Sequence, residues 1–261
     1  MKPSVPFQAL AVAISLLVVA GLLVRAPRLA RAFGQEGVFH PRPLLTGRSS
    51  LGGVRATAPA RWSRELVNRT SAPARLVPVA VHADDEALLA EPFAYLVGDG
   101  PIAPFTVSET GHLRRFFAQG GILFVDDAAP EKGVFGSDAR REIARVLPDA
   151  LPVPIGTEHV VFRSFYFIRR PVGRVEGPPK LEAVVRGGAA QVIFSSHDLA
   201  GALSQSDAGL WAVQVTPNGE SQRERAIRLA INIAMYVLCS NYKDDQVHAP
   251  YLMRRRAISS P

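Results

Sequence analysis

Apolar and polar positions along this chain switch repeatedly between a period of two and a period near 3.6. Strand-like runs occupy Leu76 to Val81, Phe93 to Val97, Ile122 to Val125, Val160 to Phe162, Phe165 to Ile168 and Val192 to Phe194. Helical patterns lie between them. One begins within Trp62 to Asn68. A second opens on the capping-box spacing Thr106-x-x-Glu109 and carries Leu113, Phe116 and Phe117 before Gly120. A third is capped by Ser137, buries Ile143, Val146 and Leu147, and stops at Pro148. The last, from about Arg223 to Leu238, is apolar on several sides and therefore sandwiched. Strands alternating with helices predict an α/β domain whose mostly parallel sheet is covered on both faces.

The flanks differ from this body. Phe7 to Val24 is an apolar run broken only by Gln8, Ser15 and Gly21, which predicts a hydrophobic leader helix, either a signal peptide or a membrane anchor. Ala30-Arg31-Ala32 has the form of a cleavage site, whereas Arg25, Arg28 and Arg31 favour retention, and both outcomes stay open. Residues 33–62 read as a loop-rich entry with room for one short strand, and 241–261, with Arg254-Arg255-Arg256, as a flexible tail. The expected organisation is a leader over 1–32, one domain over 33–240 and the tail. The expected location is the cell envelope, periplasmic or anchored to the cytoplasmic membrane.

Charge narrows the function less than it first suggests. The chain of 261 residues carries a formal +7, but Lys2, Arg25, Arg28 and Arg31 belong to the leader. Without them 26 basic residues face 23 acidic ones, a net +3. No basic run is interleaved with aromatics as single-strand binders require, so nucleic acid is not an expected partner. Cys239 is the only cysteine, which excludes an intramolecular disulfide and a cysteine-based metal site. Its apolar helical setting predicts a buried, inert thiol. Dinucleotide, P-loop, zinc-protease and serine-elbow motifs are all missing.

The candidate chemistry is acidic. Three predicted strands end in aspartates: Asp99, the pair Asp126-Asp127, and Asp198 after Ser195-Ser196-His197. Ligands of open α/β sheets bind outside the carboxyl ends of the strands, so these acids are expected along one edge. Together they can hold a divalent cation such as Mg²⁺ or Ca²⁺, or divide acid and base roles. The competing reading is that each caps a helix or closes a turn. His159, beside Glu158 before a strand-like run, is a candidate base or ligand, or a structural hydrogen-bonder. Ser195, His197 and Asp198 are triad members by type only, too close in sequence for triad geometry.

Several segments together resemble the bacterial family known as domain of unknown function 4159. They are Pro92 to Gly98, Leu113 to Asp127 (Leu-Arg-Arg-Phe-Phe-Ala-Gln-Gly-Gly-Ile-Leu-Phe-Val-Asp-Asp), Arg141 to Asp149, His159 to Tyr166, and Arg228 to Tyr236. That family is similar to the class I glutamine amidotransferase-like superfamily, of the trehalose-utilisation type, which implies a flavodoxin-like three-layer sandwich. In the amidotransferases the turn after the strand corresponding to Ile122–Val125 carries the nucleophilic cysteine. Here Asp126-Asp127 stand there, which excludes glutaminase chemistry. The resemblance implies that Asp126, Asp127 and His159 converge on one pocket as catalytic candidates, with Asp99, Asp198 and Tyr166 as ligand-binding candidates. It also implies an envelope assembly with a MoxR-type ATPase or von Willebrand factor A proteins. Two functions follow as expectations: a binding or assembly module, or a metal-assisted or carboxylate-dependent hydrolase.

Overall fold

The computed structural model describes residues 37–47, 49 and 53–258, with side chains through 240. The expected leader, 1–32, lies outside the described residues. Seven strands form one sheet: β1 (Arg42–Leu45), β2 (Val81–His82), β3 (Phe93–Gly98), β4 (Ile122–Asp127), β5 (Val153–Ile155), β6 (Leu181–Arg186) and β7 (Ala189–Ser195). Their order is β2-β1-β3-β4-β7-β6-β5, parallel from β2 through β7, with β6 antiparallel to both of its neighbours.

Helices cover both faces. On one lie α1 (Ala58–Thr70), the short α4 (Leu199–Leu203) and α5 (Gly219–Ile258). They enclose Tyr95, Phe124 and Ile193 of the sheet with Trp62, Leu203, Ile227 and Ile231 of the helices. Trp62 is the hub of that layer, edge-on to Phe93, Tyr95 and Phe124 with ring centroids 5.8 Å away, and its indole N–H donates to the Ala230 carbonyl. On the other face α2 (Val107–Ala118) and α3 (Val134–Val146) pack Leu113, Phe116, Phe117, Phe135 and Ile143 against Leu96, Leu123, Val125 and Phe194. Alternate residues of β4 thus enter opposite cores, as the period of two requires. The sheet is buried on both sides.

The connection into β3 has no α-helix. Between β2 and β3 runs only a 3-10 turn, Glu86–Ala90, held by a buried arginine. Arg42 donates to the carbonyls of Ala87, Leu88, Glu91 and Phe93 at 2.7 to 3.3 Å, and burial lowers its pKa to about 10.

Several expectations are corrected. Leu76 to Val81 is not a strand: Pro78 interrupts it, Leu76, Val77 and Val79 are exposed, and only Val81–His82 pairs with β1. Val160–Phe162 forms a 3-10 turn, and Phe165 to Ile168 forms no ladder because its backbone is bound by a side chain. Ser137 does not cap α3, which starts at Val134 after Gly133, and its hydroxyl donates within the helix to the Val134 carbonyl. Cys239 is exposed, on the outer face of α5. The backbone of α5 runs on to Ile258, through the segment expected as a tail. Among the described residues no helix is long and apolar enough to cross a membrane.

Gly98, where β3 ends, is in close contact with the Phe135 ring: an added Cβ would meet it at 2.4 Å. Gly100 has open space at the same position. Gly98→Ala is therefore expected to lower stability by about 1–3 kcal/mol through overpacking, and Gly100→Ala to stay within about 0.5 kcal/mol of wild type. Urea denaturation midpoints check both.

Candidate functional site

Three neighbouring parallel strands deliver the predicted acids to one edge. Val97 and Gly98 of β3 stand opposite Asp126 and Asp127 of β4, and Asp126 stands opposite Ser195 of β7, with Asp99 and Asp198 just beyond. Asp126 and Asp127 are themselves the last residues of β4 rather than a turn, so their side chains leave opposite faces of the sheet.

Each carboxylate meets a helix. Asp126, fully buried, accepts the backbone N–H groups of Leu199 at 3.1 Å and Ala200 at 2.8 Å, the first two residues of α4. Asp127 accepts from Ala129 at 3.0 Å and from Gly136, in the first turn of α3, at 3.2 Å. All four oxygens therefore accept a main-chain donor. The third residue of each helix is a glycine, and a Cβ there would approach a carboxylate: Asp127 at 2.7 Å from Gly136, Asp198 at 2.4 Å from Gly201. Side-chain volume is excluded at both positions so that the acids can dock.

Asp198, also fully buried, caps α4 in a left-handed conformation and accepts from Gly201 N–H at 2.8 Å. Arg55 grips it through two nitrogens at 2.8 and 2.6 Å, and Arg174 pairs with it from the other side. Both guanidiniums also reach the Ala128 carbonyl. The cluster sets two carboxylates against two partly exposed arginines, with Asp99, itself exposed, adding its charge to the field at Arg55. Burial, then the Asp198 charge, pushes the Asp126 carboxyl up to about 7, partly offset by the Ala200 and Leu199 N–H groups and the Ser195 hydroxyl. Burial and the same two carboxylates raise the Tyr95 phenol.

Ser195 and His197 are buried in this edge. The imidazole Nε2 lies 2.9 Å from the Pro178 carbonyl and Nδ1 lies 3.5 Å from the Ser195 hydroxyl; burial lowers the ring pKa to about 4. The ring is therefore neutral, with Nε2–H donating to Pro178.

His159 and Tyr166 do not join the acids. His159 caps its own 3-10 turn by accepting from Val161 N–H at 3.3 Å, and its ring lies 5.8 Å from that of Tyr236. Tyr236 accepts from Ala190 N–H at the start of β7, five residues and so about 17 Å along the strand from Ser195. Burial lowers the His159 pKa, and the charges acting on it are Glu158 and Arg163, not the aspartates. Tyr166 is fixed to α5 by Asn232 and lies under Arg228, 5.2 Å away. The expected convergence of Asp126, Asp127 and His159 is not met. Among the described residues no group of three or more His, Cys, Asp or Glu side chains is arranged to hold a metal ion. The sequence reading missed Arg55 and Arg174, whose sole signal was an arginine-rich composition that marks no individual position.

A family model matches residues 44–238, most of the chain and nearly all of the described domain. The chain belongs to the family described as a domain of unknown function, DUF4159. Among curated proteins, none matches it. The region matched by DUF4159 runs from within β1 to within α5, so Arg55 and Arg174 as well as the aspartates fall inside it.

Two outcomes are expected. Asp198→Ala strands two guanidiniums and the Gly201 N–H, and should cost about 2–4 kcal/mol, below the fully buried range because both arginines reach water. For Asp126, the folded protein retains a proton up to about 7 that an unfolded aspartate releases near 3.9. The native state then binds more protons between these values, so this group's contribution to stability falls as pH rises from about 4 to about 7. Urea midpoints of Asp126→Asn and wild type, compared at pH 5 and 7.5, should shift in favour of the variant at the higher pH.

Proposed function

We propose that this protein is a cell-envelope binding or assembly module. Its domain is a class I amidotransferase-like scaffold, without the catalytic cysteine, whose strand-end acids have become structural. The observation that carries this reading is the full engagement of Asp126 and Asp127: every carboxylate oxygen accepts a backbone N–H of the fold. Carboxylates that anchor helix starts and a turn in this way already have a structural task. The parallel strand order 2-1-3-4-7 supports a flavodoxin-like three-layer sandwich, with β5 and β6 as an added edge.

The envelope location rests on the apolar run Phe7–Val24, and the MoxR-type ATPase or von Willebrand factor A partner rests on the family resemblance. The alternative, a hydrolase using Asp126 or Asp127 with His159 and a divalent cation, loses support because the three side chains serve three separate structural tasks.

Purification from membranes with the native N-terminus intact is expected to retain a stable protein partner, with Asp127→Asn leaving that partner bound. The reading is overturned if divalent cations raise the Tm of the purified protein and Asp126→Asn or Asp127→Asn abolishes the rise.

A further inference from the structure

The segment from His159 to Arg174 stands apart from the rest of the surface. Its sixteen residues include Phe162, Phe165, Tyr166 and Phe167, four arginines, and no Asp or Glu. Phe162 and Ile168 are buried, whereas Phe165 and Phe167 are 47% and 67% exposed, and Arg163, Arg169 and Arg170 beside them are exposed too.

The loop is ordered. Asn232, a fully buried polar residue of α5, accepts from Tyr166 N–H at 2.7 Å and donates to the Tyr166 and Val161 carbonyls at 2.7 and 2.9 Å. Ile168 N–H donates to the Phe162 carbonyl at 2.8 Å, and Arg228 covers the Tyr166 ring. With Tyr166 pinned against the helix, the two flanking phenylalanines are directed outward. Two rings held in water by a buried amide form a surface that gains by being covered.

We propose that Phe165 and Phe167 insert into an anionic lipid surface while Arg163, Arg169 and Arg170 contact its phosphates. The chemistry of the two layers of a bilayer matches the loop: an apolar depth for the rings and negative head groups for a rim without acids. The same chain carries an eighteen-residue apolar run, Phe7–Val24, followed by Arg25, Arg28 and Arg31, and the described domain starts thirteen residues after that run ends. Thirteen residues span at most about 45 Å, which keeps a membrane within reach. The proposal rests on the envelope reading only for the presence of that membrane.

The test places tryptophan at the surface. Full-length Phe165→Trp and Phe167→Trp variants, with Val107→Trp on the opposite face as control, are reconstituted into vesicles containing brominated lipid. Val107 is 92% exposed at the start of α2. Quenching in vesicles with phosphatidylglycerol is expected to be at least twice the control at 165 and 167. It should fall to the control level in pure phosphatidylcholine or when Arg163→Gln and Arg169→Gln are added. Equal quenching at all three positions overturns the proposal. So does emission already shifted to the blue without vesicles, which assigns the loop to a second copy or another segment of this chain. Quenching by a single-stranded oligonucleotide in place of lipid overturns it in favour of nucleic acid. If cells hold the protein in the cytosol but vesicles still quench, the envelope reading fails and the loop's lipid affinity stands.

Discussion

Two carboxylates buried side by side must find partners, and in this domain the answer organises one whole edge of the sheet. Asp126 and Asp198 are shielded from water: α4 points its first N–H groups at both, two arginines pair with Asp198, and Asp126 keeps a proton up to about 7. Arg55 comes from the turn before α1 and Arg174 from the long connection before β6. The cluster therefore joins regions 143 and 24 residues away from Asp198 in sequence. Remove it, and α4, the turn before α1 and the 173–175 segment lose their shared anchor.

The same logic is repeated with less charge on the other face. Asp127 receives α3 as Asp126 receives α4, and at the third helical position Gly136 makes room for Asp127 while Gly201 makes room for Asp198. Consecutive residues of one strand thus fix a helix on each side of the sheet. An acid pair at this location need not be reactive; it can be two struts pointing in opposite directions.

Much of this was legible in the sequence. The capping box at Thr106 and Glu109 is present as read, because both its bonds lie within four residues. The four apolar residues Ile122 to Val125 are a central strand, since such a run is soluble only when buried on both faces. The Gly187-Gly188 pair, with φ of 57° and 82°, closes the β6–β7 hairpin and was an unread local signal. Other features had no local signature. Nothing in the run Phe165 to Ile168 announces that its hydrogen bonds go to Asn232, 66 residues later, instead of to a neighbouring strand. Nothing near Arg55 announces Asp198. Strand-like composition and salt-bridge choice are both decided by tertiary partners, which a single sequence does not display.

The outermost strands have a consequence of another kind. β2 offers two residues, and β5 offers three with Pro154 at its centre, so neither end presents a run of free main-chain groups. A visiting strand finds no template on which to extend the sheet. Among the described residues, neither end of the sheet offers fibril-like growth a long backbone edge.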